Sequence, residues 1–244
     1  MPHLLEICID SLPSARAAQL GGADRIELCA ALDLGGLSPG AGLLHQYLDI
    51  CPLPVMVMLR PRPGDFCYDD DEFAAILHEA RLARQLGVQG VVCGILLPDG
   101  RIDRLRVQRL LDAVRPLELT FHRAFDLCRD PHEGLDLLLD LGVDRLLTSG
   151  QAPDAATGAP LIADLHRRAG AALHIMAGAG VSAANIAAIA RQTGVQELHG
   201  SARRAALATA AHTGVSMGSA DGQPYRQTDA AQVRAMKAAL AALG

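Results

Sequence analysis

Residues 22–29 read GADRIELC, and the same pattern returns at 87–94 (GVQGVVCG), 142–149 (GVDRLLTS) and 194–201 (GVQELHGS). Each copy is a glycine, a short polar link, a short apolar run and then a polar residue. A glycine at this place is typical of a helix C-cap, because the cap needs a left-handed backbone conformation. The pattern predicts a helix, a tight turn and a buried parallel strand, repeated as in a (β/α)8 TIM barrel.

Other apolar runs complete a set of eight strands, whose nearly continuous apolar character fits strands covered on both faces. The strands are predicted at residues 4–9, 25–29, 55–59, 91–96, 119–123, 146–148, 173–177 and 198–201. Amphipathic patterns predict helices at 11–20, 70–86, 103–114, 131–141, 161–169 and 183–192, followed by an alanine-rich helix at 229–243. Residues 30–42 are too irregular for a full helix, and residues 214–226 are irregular as well.

Length and composition predict one soluble α/β domain. The 244 residues are close to the roughly 250 of a single barrel, so we expect one domain over 1–244, with a C-terminal tail and extra helix at 203–244. That helix either covers the barrel or joins a neighbouring copy. A net charge of −5 without basic runs argues against a nucleic-acid partner. No apolar run reaches a membrane span and no leader pattern is visible, so we expect a cytoplasmic protein with six free thiols.

Polar residues concentrate at the ends of the predicted strands. Barrels of this class carry their chemistry at the C-terminal strand ends, where carboxylates and imidazoles can act as general acids and bases. A strand-end histidine also commonly serves as a structural hydrogen-bond partner. Buried charges are costly unless they pair with one another or meet a ligand. The candidate acid–base residues are Glu6, Glu27, His122, Asp126 and His199.

Arg60 and Arg62 alternate with prolines that hold both in an extended segment. Fixed guanidinium groups suit the recognition of carboxylate or phosphate. The alternative is internal pairing of these arginines with Glu6, Glu27 or Asp126.

The sequence GAG at 178–180 resembles the phosphate loops that barrels place after strands seven and eight, where small residues let backbone N–H groups approach an anion. The alternative is that the glycines only make a tight strand-to-helix turn. The candidate anion- or substrate-binding residues are Arg60, Arg62, Arg123, Ser149, Gly178, Gly180 and Ser201.

Cys8 and Cys29 end two consecutive strands, which are neighbours in a barrel. Two thiolates brought together there would suit a soft ion such as Cu(I). The spacing is not that of a zinc or redox motif, and the alternative is that both cysteines are small buried hydrophobic residues. The pattern leaves open whether Cys8 points into the barrel or into the helix layer.

Six ordered motifs together resemble the CutC family of copper-homeostasis proteins, and the resemblance runs to Arg203. They are LEIC at 5–8, GADRIELC at 22–29, RPRPGDFCY at 60–68, TFHRAFD at 120–126, LTSG at 147–150 and MAGAG at 176–180. The resemblance implies a cytoplasmic (β/α)8 barrel, a homo-oligomer such as a dimer or tetramer, and copper as the bound ion. It implies Cu(I) held by cysteines, at positions that match Cys8 and Cys29. We predict no organic cofactor. RPG at 62–64 departs from two glycines common in the family, which stiffens this loop.

Two functions remain open at this point. One is the copper-homeostasis protein that the resemblance implies. The other is an enzyme acting on a small phosphate- or carboxylate-bearing metabolite at the C-terminal mouth, because two cysteines leave the other polar residues there unexplained. In the second, Arg60, Arg62 and the glycine turn hold the substrate, and His122 with Glu27 or Glu6 moves protons. A third hypothesis is a barrel whose outer helices mediate assembly.

Overall fold

The chain folds as a closed barrel of eight parallel strands, each paired with the next and β8 with β1. The structure is a computed structural model that describes residues 3–206 and 226–243. The strands are β1 (Leu4–Ile9), β2 (Arg25–Leu28), β3 (Val55–Met58), β4 (Gly90–Cys93), β5 (Glu118–Phe121), β6 (Arg145–Thr148), β7 (His174–Ala177) and β8 (Glu197–Gly200). The predicted (β/α)8 fold is confirmed.

Helices follow the strands and form the outer layer. They are α1 (Leu12–Gly21), α2 (Ala41–Ile50), α3 (Asp70–Gln85), α4 (Arg104–Val114), α5 (Pro131–Leu141), α6 (Ala159–Ala169), α7 (Ile186–Thr193) and α8 (Ala230–Ala241). Gly22, Gly142 and Gly194 cap α1, α5 and α7 in the left-handed conformation, as the repeated pattern predicts. None of the helices within the described residues is long and apolar enough to cross a membrane.

Helix α2 was not predicted. It begins after Gly40, which provides no side-chain cap, and its first turn holds no acidic residue. Helix α3, by contrast, begins with a complete capping box between Asp69 and Glu72. The start signals that mark a helix in sequence are therefore absent where the prediction failed.

The C-terminal helix α8 completes the outer ring. It packs between α7 and α1, and Gly21 of α1 lies so close to Val233 that a methyl group on the glycine would overlap it. Strands β9 (Arg203–Ala205) and β10 (Arg226–Thr228) form an antiparallel pair that leads into this helix. Most of the segment predicted as irregular, 214–226, lies outside the described residues.

The inside of the barrel is charged at its N-terminal end. Leu5, Ile7 and Ile9 pack outward into the hydrophobic core, while Glu6 points inward to Arg25. Arg25 Nη2 donates to Glu197 (2.6 Å), Arg145 Nε to the same carboxylate (2.5 Å), and Arg145 Nη1 to Glu118 (2.9 Å). We call this network the barrel floor: Glu6, Arg25, Glu118, Arg145 and Glu197.

Candidate functional site

A cavity of about 480 Å³ opens at the C-terminal ends of the strands. Leu32, Met58, Leu127, Leu147 and Val181 contribute an apolar part of its lining. Most of the residues predicted from the strand ends meet there. Those that line the cavity are Cys8, Glu27, Arg60, His122, Arg123, Asp126, Gly180, His199 and Ser201.

Three of these side chains form a compact set of metal-donor atoms. One ligand atom each from Cys8, Glu27 and His199 lie within 4.8 Å of one another, and all three residues are buried. His199 Nε2 is 3.7 Å from Glu27 Oε2. We call these residues the donor cluster. Since Cys8 lines the cavity, the question that the sequence left open is answered: its side chain points into the barrel.

The barrel floor orients the donor cluster. Glu6 Oε1 lies 2.9 Å from His199 Nδ1, and Arg25 holds Glu6 from the other side. Burial opposes the charge of Glu6, but Arg25 and His199 outweigh it and lower the pKa of Glu6 to about 2. A carboxylate on one ring nitrogen of a histidine is the usual arrangement behind a metal ligand, because it fixes the ring and leaves the other nitrogen for the ion.

The charges within the cluster shift one another. Burial opposes the charged form of His199, but Glu27 and Cys8 outweigh it and raise the pKa of His199 well above its ordinary value. Burial also raises the pKa of Glu27, against the effect of His199. Oε1 of Glu27 is buried and accepts no hydrogen bond from residues 3–206 or 226–243. The cluster therefore contains an acceptor that the described residues leave unused.

Cys29 adjoins the cluster from the side of β3. Its thiol donates to Glu27 Oε2 at 3.4 Å, and it packs with Met56, Met58 and Val92 in a small apolar group. Burial, followed by the charge of Glu27, raises the pKa of Cys29 well above its ordinary value. Both predicted copper ligands thus lie beside Glu27.

The two arginines of the proline-rich loop have different surroundings. Arg60 is buried, and its Nη atoms donate to the carbonyl oxygens of Leu34, Gly36 and Gly64. Arg62 is partly exposed and pairs with Glu72 and with Asp65, toward the start of α3. Neither forms an ion pair with the strand-end carboxylates in the described part of the chain.

His122 is held in one tautomer by the backbone of Ala124. Nδ1 accepts a hydrogen bond from Ala124 N at 3.1 Å, so the proton of the neutral ring is on Nε2. Burial and the charge of Arg60 lower the pKa of His122 to about 3. Nε2 is buried and has no partner within the described residues. In this state His122 is a hydrogen-bond donor, and it is a poor base near neutral pH.

The carboxylate of Asp126 is occupied by hydrogen bonds from the end of β6 and the loop that follows it. It accepts hydrogen bonds from Thr148 Oγ1 (2.5 Å), from the backbone and side chain of Ser149, and from Gln151 N. Arg123 Nε donates to Asp126 at 2.8 Å, and Arg123 Nη2 to Ser149 Oγ at 3.1 Å. These three predicted site residues therefore form one connected group at the ends of β5 and β6, and Asp126 balances the charge of Arg123.

The glycine turn after β7 is shaped by close packing. A Cβ on Gly178 would lie 2.5 Å from Leu147 Cδ1, and φ is positive at both Ala179 (81°) and Gly180 (67°). Within the described ranges, the N–H groups of Ala179, Gly180 and Val181 donate to no protein acceptor. These donors remain available to a ligand. Ser201 is partly buried and its carbonyl accepts from Thr228 Oγ1.

Sequence reasoning missed the arginines that support the site, although a signal was present. Two copies of the repeated pattern contain Asp-Arg, at 24–25 and 144–145. Asp24 accepts from Leu5 N at 2.7 Å and Asp144 from Leu119 N at 2.8 Å, so each aspartate holds the adjacent strand. The arginine that follows each of them enters the barrel floor. Phe66 and Arg203 also line the cavity and were not among the predicted site residues.

Comparisons with known proteins show the family of this chain and agree with its fold. The profile of the CutC family matches residues 3–204. A CutC family protein of Vibrio vulnificus is 47% identical over 225 residues, which cover 91% of this chain and 90% of that protein. The crystal structure of a Streptococcus agalactiae protein described as a CutC copper-homeostasis protein superposes with a TM-score of 0.77 at 34% identity, over 81% of this chain and 98% of that one. A phosphoribosylanthranilate isomerase of Pyrococcus furiosus shares the fold alone, with a TM-score of 0.57 at 13% identity, over 98% of this chain and 99% of that one.

Proposed function

This chain belongs to the CutC family, and on that premise we propose that it serves copper homeostasis by binding one Cu(I) ion at the mouth of the barrel. The observation that carries the proposal is the donor cluster, in which sulfur, carboxylate oxygen and imidazole nitrogen lie within 4.8 Å of one another.

The residues that would hold the ion are Cys8 and His199, with Cys29 as the second thiol. Thiolate and imidazole are ligands that suit Cu(I), and Glu6 fixes the ring of His199 for this task. Glu27 is the third member of the donor cluster, and it accepts a hydrogen bond from the thiol of Cys29. The carboxylate of Glu27 is a harder ligand that favours divalent ions. A site formed by the two thiols therefore prefers Cu(I), whereas a site that includes Glu27 prefers Cu(II).

The test is a Cu(I) titration of reduced protein against a chromogenic chelator. We expect about one Cu(I) per chain, and loss of that binding in the Cys8→Ser/Cys29→Ser double variant. Cys93→Ser is the matched control, because Cys93 is a buried strand cysteine that packs into the outer core. Stoichiometric Cu(I) binding by the double variant would overturn the assignment of the cysteines.

Single variants separate the two donor sets. With Cys8, Cys29 and His199 as ligands, Cys29→Ser weakens Cu(I) binding more than Glu27→Gln does. The opposite order would show that the carboxylate, and not the second thiol, completes the site. In this proposal the protein works as a homo-oligomer in the cytoplasm, where a reducing environment keeps the free cysteines available.

A further inference from the structure

Arg60 carries a buried positive charge that the copper proposal leaves unused. Three of its five N–H groups donate to carbonyl oxygens, and Nε is buried without a partner in the described part of the chain. Among the described residues none of its hydrogen bonds reaches a carboxylate. Arg62 and Arg123, by comparison, are each paired with acidic side chains. A buried guanidinium without a counter-charge is costly, and Arg60 lines the cavity.

His122 presents a second unused donor on the same wall. The Nδ1 and Cε1 edge of the ring faces Gly94, where a Cβ would lie 2.5 Å from Cε1, and Nδ1 is occupied by the backbone of Ala124. His122 lines the cavity, and the opposite edge of its ring points away from Gly94. This edge carries the unpartnered Nε2, whose proton position follows from the bond at Nδ1.

Phe66 packs against both donor residues. Its ring centroid lies 4.9 Å from that of His122, and the guanidinium carbon of Arg60 lies 4.8 Å from the same centroid. The lining beside them is apolar, with Met58 and Leu127. Low polarity strengthens the attraction between a charged donor and an anion.

We propose that the mouth of the barrel binds a small organic anion, with its charged oxygen held by Arg60 and accepting a hydrogen bond from Nε2–H of His122. The donors fit the anionic oxygen of a carboxylate or of a phosphate ester. In this subsite His122 is a donor that stabilises negative charge on the ligand, in contrast to the acid–base role that its sequence position suggested. The subsite lies on the walls formed by β3 and β5, so it does not depend on copper at Cys8 and His199.

Calorimetric titration of the metal-free, reduced protein tests the proposal, with malonate, pyruvate and inorganic phosphate as probes. We expect saturable binding of at least one probe in the millimolar range or tighter. His122→Gln and Arg60→Lys should each weaken it by about tenfold or more, because each removes or displaces a hydrogen bond to a charged group. Arg62→Lys is the matched control and should change affinity by less than about twofold. The relative affinities of the carboxylates and phosphate identify the ligand class.

No saturable binding of any probe would overturn the proposal, as would equal weakening by Arg60→Lys and Arg62→Lys. Arg60→Lys also removes contacts to three loop carbonyls, so a measurement on the unmodified protein is needed in addition. Nitrogen-15 NMR of the histidine rings should show His122 as the Nε2–H tautomer near neutral pH, with its Nε2 signal shifting on addition of the bound probe. A protonated ring, or a signal that does not respond to the probe, would contradict the assignment. Because the titration uses metal-free protein, its result stays separate from that of the copper proposal.

Discussion

The two ends of the barrel interior bury the same kinds of side chain but leave them in different states. At the floor, Arg25 and Arg145 share the carboxylate of Glu197, and Arg25 also holds Glu6. At the mouth, Glu27 Oε1, His122 Nε2 and Arg60 Nε are buried without hydrogen-bond partners in the described ranges. The floor charges are balanced by the fold, whereas the mouth groups lack partners among the described residues, and for this reason we assign ligand binding to the mouth in both proposals.

Removing one charge from the floor should have the largest effect. Arg25→Met leaves the buried carboxylates of Glu6 and Glu197 without their shared partner, so we expect the free energy of unfolding to fall by about 3–5 kcal/mol. Urea unfolding followed by circular dichroism measures this. A loss smaller than that of Arg62→Met, whose ion pairs are partly exposed, would show that the floor is not a stabilising network.

Glu6 of the floor and Glu27 of the mouth lie on neighbouring strands and both point inward, so their variants compare the two regions directly. Glu6→Gln weakens the hydrogen bonds to Arg25 and His199, and we expect a loss of about 2–3 kcal/mol in unfolding free energy. Glu27→Gln removes a charge that burial already disfavours, so its stability should change by less than about 1 kcal/mol. Thermal and urea unfolding of both variants test this. Equal losses of unfolding free energy in the two variants would mean that the charges of the mouth stabilise the fold as much as those of the floor.

The pH dependence of stability should reveal His122. Its pKa is lowered from 6.5 to about 3 in the folded protein, so below pH 6.5 the unfolded chain binds a proton that the folded chain does not. Stability is therefore fully present above pH 6.5 and falls by up to about 1.4 kcal/mol per pH unit as the pH decreases toward 3.

The His122→Gln variant should take up one proton fewer on unfolding, so its unfolding free energy should depend less steeply on pH between 3 and 6.5. Urea unfolding of the variant and of the parent protein at several pH values measures this difference. His45→Gln serves as the control, because His45 is exposed on α2. If the two variants give the same slope, His122 is not the buried neutral group described above.

The repeated pattern was sufficient to predict the barrel. The pattern located the strands that Cys29, Ser149 and Ser201 follow. The capping glycines Gly22 and Gly142 adopt the left-handed conformation that it predicts. The pattern worked because a left-handed cap and a buried strand are local properties of a few residues. Helix α2 lacks these local signals and was missed.

The site was predictable as a set of strand-end residues, but not as contacts. Arg60 and Arg62 are two residues apart in one loop, and this spacing did not reveal that Arg60 lines the cavity whereas Arg62 pairs with Glu72. Arg25 and Arg145 begin their strands, where a polar residue also fits a solvent-exposed link, so their inward direction was not visible. The joining of His199 to Glu6 depends on β8 closing against β1, which is a long-range pairing that no local pattern specifies.

The Asp-Arg pairs at 24–25 and 144–145 give the barrel an internal correspondence. Each aspartate binds the backbone of the preceding strand and each arginine meets Glu197, so β1–β2 and β5–β6 carry the same contacts. Counting from the strands that the aspartates bind, Cys8 and Cys29 occupy the positions in the first pair that His122 and Ser149 occupy in the second. The sulfur-bearing wall and the imidazole-bearing wall therefore stand at corresponding positions on opposite sides of the barrel.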